Sequence, residues 1–187
     1  MTKVIHEAEL AEIKDLGENS ASFTVKPLYY GYGNTLGNSL RRVLLSSIKG
    51  AAITAFRIEG TTHEFTAVPG IAEDVVDIML NLKNIHIKSH SDAPIELHLE
   101  KTGAGVVLAG DVKLPADVEI SNPQQIICNI DDPNFTLKMD MVVDTGRGYL
   151  SIEQASENRV YSDMIALDAV FTPVLRARYK AENTRVG

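Results

Sequence analysis

The sequence has no tryptophan, one cysteine and only 6% aromatic residues. A single thiol excludes an internal disulfide. Cys128, set in the apolar stretch Gln124-Gln-Ile-Ile-Cys128-Asn-Ile130, reads as a small core residue of a cytoplasmic protein. No apolar run reaches the ~18–20 residues that span a bilayer, so no membrane segment is expected. The N-terminal segment Met1-Thr-Lys-Val-Ile-His-Glu-Ala-Glu-Leu-Ala-Glu-Ile-Lys-Asp15 has no apolar stretch of the kind that forms a secretory signal. Positive charge is also short: 18 basic against 25 acidic residues leave a net charge of −7. Phosphate binding rests on clustered cations, so direct DNA binding by this chain is not expected.

Catalytic and metal-ligating patterns are missing as well. His6, His63, His86, His90, His98 and Cys128 show no ligand-like grouping along the chain. His86 and His90 are four apart, but in a segment that alternates like a strand, where that spacing does not stack side chains as a helix would. No metal and no cofactor are therefore expected. A two-metal polymerase centre needs clustered aspartates; Asp131-Asp132 precede Pro133 in a turn, and Asp140 and Asp144 flank strand residues. Neither a nucleophile elbow nor a phosphate loop is present. The expectation is a chain without catalytic residues.

What is present is mostly strand. Residues 7–13 and 21–27 alternate around the turn Gly17-Glu-Asn-Ser20, which predicts a hairpin ended by Pro27. Further strands are expected at 53–59, 85–88, 95–99, 105–108, 118–120 and 125–128. The strictest alternation runs from Phe135 to Val143, with Phe135, Leu137, Met139, Met141 and Val143 on one face. A helix is expected over 69–82, with Ile71, Val75, Ile78, Met79 and Leu82 inward and Glu73 and Asp74 near its start. Residues 153–162 read as a polar loop. Strand character returns over 165–179, broken at Pro173, and puts Arg176, Arg178 and Lys180 on one face as a weak basic patch. The similar character of the two ends suggests a domain inserted into a discontinuous one.

The most informative segment is the helix expected from Asn34 or Thr35 to Lys49, closed by Gly50. On a wheel at about 100° per residue, Tyr32, Leu36, Leu40, Val43 and Ser47 cluster on one side. Leu44, Ile48 and Leu45 extend the apolar arc to about 200°, roughly twice what one core face requires. Such a helix is buried on two sides, the second against a neighbour such as a symmetry mate. Arg41 falls inside the arc and is expected to lie along it with its head at an edge or paired. Arg42 faces outward beside Leu45, which is the composition of an interface anchor; the alternative is a solvated basic edge. Gly33 and Gly37 imply close approach of another backbone or of a ligand. A ligand would make the Gly31–Gly37 turn an imitation of a dinucleotide fingerprint and the protein a small nucleotide-binding enzyme. Lys26 and Pro27 in the preceding strand, the glycine spacing and the absence of repeating βα units count against that.

The segment Gly31-Tyr-Gly-Asn-Thr-Leu-Gly-Asn-Ser-Leu-Arg-Arg-Val-Leu-Leu-Ser-Ser47 resembles the signature helix of the RNA polymerase alpha-subunit N-terminal domain. The likeness continues through His63-Glu-Phe65, Gly70-Ile-Ala-Glu-Asp-Val75, Leu80-Asn-Leu-Lys-Asn84, Gly146-Arg-Gly-Tyr149, Leu167-Asp-Ala-Val-Phe-Thr-Pro-Val174 and Glu182-Asn-Thr-Arg-Val-Gly187. The resemblance implies an α+β fold, a discontinuous dimerisation domain (1–49 and 174–187) with an inserted, mainly β domain (50–173). It implies a non-catalytic scaffold of DNA-directed RNA polymerase, itself a nucleotidyltransferase complex. The implied partners are a second alpha copy and the beta and beta-prime subunits. By motif position, Arg42 and Leu45 would contact beta, and Lys83 and Leu167 beta-prime. Tyr32, Leu36, Leu40, Val43 and Ser47 would form the dimer interface. The interval between Tyr149 and Leu167 is shorter than in many relatives. Family members also continue past the position of Gly187 with a second interface helix, a linker and a DNA-binding domain. Without that helix, weak or absent dimerisation is expected.

Overall fold

The computed structural model describes residues 7–61, 63–157 and 163–183. The chain divides into two compact units, residues 1–45 with 176–187, and residues 46–175.

The first unit begins with β1 (Glu9–Gly17) and β2 (Ser20–Lys26), which form a two-stranded antiparallel hairpin. Its turn is made by residues able to take positive φ, Gly17 (121°) and Asn19 (56°). Helix α1 (Tyr32–Ser46) follows. Gly31, at φ 84°, turns the chain into it, and the Tyr32 amide donates to the Tyr29 carbonyl (3.0 Å). The helix therefore starts before Asn34 and Thr35, which were expected to cap it, and ends before Lys49 and Gly50. The unit is completed by residues 176–183, which are irregular; the strand expected up to Tyr179 does not form.

The second unit is built on antiparallel strands in the order β5-β9-β3-β4-β7: β5 (Ile95–Thr102), β9 (Thr136–Arg147), β3 (Lys49–Ile58), β4 (Ile87–Ser89) and β7 (Val118–Ile120). β11 (Ile165–Ala166) also pairs with β3. Two small ladders join β6 (Gly105–Leu108) to β8 (Ile126–Ile130), and β10 (Tyr149–Leu150) to β12 (Ala169–Val170). The alternation along β9 is realised: Leu137, Met139, Met141 and Val143 are all buried. Each such side chain contributes about 1.5–3 kcal/mol of burial free energy. On β3 a register shift between Ile53 and Ala55 lets Ile53, Phe56 and Ile58 all reach the core despite their mixed parity.

Helix α2 (Val75–Lys83) is shorter than expected. Asp74 caps it by accepting the Asp77 amide (2.7 Å), and Val75, Ile78 and Leu82 are buried. Residues 69–72 form a turn instead: the Ile71 amide donates to the Val68 carbonyl across Gly70 (φ 96°), Ile71 bridges Ile130, and the Ala72 amide donates to the Asn129 carbonyl. Residues 152–157, the start of the expected polar loop, form helix α3 (Ile152–Glu157); the end of that loop lies outside the described residues. Gly50 and Gly146 face each other across β3 and β9, and the Phe171 segment lies over both. A Cβ at Gly50 would sit 1.8 Å from the Phe171 carbonyl oxygen, and one at Gly146 2.7 Å from the Phe171 ring. Gly50 is thus a close-approach residue of a strand, not a helix terminator.

Candidate subunit-interaction surfaces

Helix α1 has an amphipathic sequence but buries none of its residues. One side meets residues 177–181. Tyr179 lies over Gly37, where a Cβ would come within 2.4 Å of its ring, and Ala181 lies 3.1 Å from the Cβ position of Gly33. The Arg41 Nε donates to the Ala177 carbonyl (3.3 Å), so the arginine inside the apolar arc is paired with backbone. The close approach implied by both glycines is made by this chain. That removes the room a dinucleotide would need. The strand before Gly31 is β2, paired antiparallel with β1, where the nucleotide fold needs a parallel strand. The nucleotide-enzyme reading is therefore dropped.

The next side of α1 carries the apolar residues that the wheel grouped together. Tyr32 (61%), Leu40 (45%) and Val43 (51%) are exposed, and Leu36 is half-buried among them. Tyr32 is held edge-on to Tyr29, with ring centroids 6.3 Å apart. Ser47 lies one residue past the end of the helix and is exposed. Arg42 is exposed, and Leu45 is half-buried.

In the second unit, Lys83 closes α2 and forms an ion pair with Asp168. The Tyr149 hydroxyl also reaches Asp168 (3.3 Å). Leu167 is different. It has no exposed surface and belongs to the core, and its amide donates to the Thr54 carbonyl (2.8 Å). Its expected role as a beta-prime contact is corrected: a side chain enclosed in this way has no surface to offer a partner. Sequence spacing missed the reason, since β11 and β12 pin both sides of Leu167 to the sheets. Asp168 and Tyr149 were also missed as neighbours of Lys83; they come from separate segments that only the β10–β12 ladder brings together. The basic face expected of Arg176, Arg178 and Lys180 does not form, because these residues are not in a strand.

Residues 56–172 match the family model of the RNA polymerase Rpb3/RpoA insert domain. The chain is 48% identical over 176 residues to the DNA-directed RNA polymerase subunit alpha of Roseiflexus sp. (strain RS-1), a span covering 94% of this chain and 54% of that one. Against the alpha subunit of Moorella thermoacetica it is 46% identical over 176 residues, 94% of this chain and 56% of the relative. Against that of Desulfitobacterium hafniense (strain Y51) it is 45% identical over 184 residues, 98% and 58%. The chain spans little more than half the length of these curated relatives.

Proposed function

Because the chain belongs to the RNA polymerase Rpb3/RpoA insert-domain family, we propose that it serves as a non-catalytic scaffold in a bacterial DNA-directed RNA polymerase. In this reading the residues around α1 form the dimerisation domain, and Tyr32, Leu36, Leu40, Val43 and Ser47 meet a second alpha copy. Arg42 with Leu45 contacts the beta subunit, and Lys83, positioned by Asp168, contacts beta-prime. The protein works in the cytoplasm and leaves DNA contacts and catalysis to other parts of the assembly.

The observation that carries the reading is the helix that leaves its apolar stripe exposed. An isolated helix of 15 residues is marginal in water, and its stability comes from packing an amphipathic face. Here Tyr179 and its neighbours cover one side, and Tyr32, Leu40 and Val43 remain for a partner. Arg42 lies outside that stripe, so a dimer formed through the stripe leaves the guanidinium accessible to a third chain.

Co-purification of the beta subunit with the native chain and with Arg42→Ala tests the assignment. Truncating an interface arginine costs about 2 kcal/mol or more when it is an anchor, so beta recovery should fall at least about tenfold. Equal recovery with both proteins would remove Arg42 from the interface.

A further inference from the structure

In the second unit, β5 and β9 run antiparallel with His98 directly opposite Asp140. Strand alternation puts Glu96 on the same face as His98. The His98 Nδ1 lies 2.7 Å from the Asp140 Oδ1, and one ligand atom from each of Glu96, His98 and Asp140 lies within 4.8 Å of the others. The second Asp140 oxygen holds the Arg57 guanidinium at 2.5 Å, and Arg57 also pairs with Asp163. Partial burial pushes the Asp140 carboxyl up, but the bonds from His98 and Arg57 outweigh it and hold the group below the ordinary carboxylate range.

We propose that Glu96, His98 and Asp140 form a binding site for a divalent transition-metal ion of the zinc class. Around an ion with bonds of about 2.0–2.2 Å, neighbouring ligand atoms stand roughly 3 Å apart, so these side chains need only small rotamer changes. One imidazole and two carboxylates suit zinc and its neighbours better than calcium or magnesium, which prefer all-oxygen shells. Arg57 takes the place of an outer-shell partner: it fixes the orientation of Asp140 while leaving Oδ1 for the ion. The ion replaces the hydrogen between His98 and Asp140, and water completes its shell. The bound ion ties the edge strand β5 to β9 through side chains. This site is separate from the helix surface of the proposed function and does not rest on that reading.

The test uses the full chain and zinc chloride, with equilibrium dialysis and thermal unfolding as readouts. The chain should bind zinc through this site and unfold at a higher temperature when zinc is in excess. His98→Ala and Glu96→Gln should each weaken binding at least about tenfold and shrink the thermal shift accordingly. Both residues leave the Arg57–Asp140 pair intact. His90→Ala is the control, because His90 and Glu119 form another exposed imidazole–carboxylate pair at 3.2 Å. No binding at about 1 mM zinc, affinity unchanged in both His98→Ala and Glu96→Gln, or loss only in His90→Ala would each overturn the proposal.

Discussion

Leu167→Ala separates a core role from a contact role for this residue. Leu167 is fully enclosed among the buried residues of the second unit. Leucine to alanine removes three carbons, worth about 2.4 kcal/mol at ~0.8 kcal/mol each. A cavity that collapses only partly raises the total to roughly 3–5 kcal/mol. For a unit of this size about 4 °C per kcal/mol is expected, which puts the fall in unfolding midpoint at roughly 10–20 °C. Circular dichroism melts of the native and mutant chains measure it directly. Leu167→Met keeps the volume and should cost less than about 1.5 kcal/mol. If Leu167→Ala melts within about 2 °C of the native chain yet fails to retain beta-prime, the packing argument is refuted and the side chain acts at a surface after all.

Gly50→Ala should destabilise the second unit by about 1–3 kcal/mol or more in urea unfolding, because its Cβ would meet a backbone oxygen that no rotamer change can move. Asp140 has a lowered folded-state pKa, so its stabilisation is present above its unfolded value of about 3.9 and is lost as pH falls through the folded value. Unfolding midpoints should therefore drop on acidification below about pH 4, and Asp140→Asn should flatten part of that slope. Asp111, where burial is likewise outweighed by the Leu108 amide and Lys101, would keep the remainder. An identical slope in the mutant would show that Asp140 contributes nothing to acid stability.

Sequence periodicity served best where one face alone decides burial. β9 was legible because every second residue from Leu137 to Val143 enters the same core. On α1 the same periodicity grouped Tyr32, Leu40 and Val43 apart from Arg42 by angle alone, but the two-sided burial expected of that helix is not observed, since none of its residues is buried. Helix ends were less legible. Gly50 matches a helix stop by composition, yet the contact that demands glycine there comes from Phe171, far along the chain. Local pattern gave residues 174–179 to a strand, but a strand needs a partner, and these residues have no ladder among the described pairings. The burial of Leu167 and the meeting of His98 with Asp140 depend on which strands lie side by side. Spacing along one chain carries no information about that.

Cys128 has a practical consequence. Enclosure in the core, with the negative charge of Glu73 nearby, pushes its thiol up to about 12, so at neutral pH it is neither ionised nor within reach of an alkylating reagent. The wild-type molecule thus offers a silent background for maleimide chemistry. A cysteine installed at Val43 would be the sole reporter to take a spin label or a bifunctional cross-linker, and inter-probe distances measured from it would read out directly whether two copies meet along that stripe.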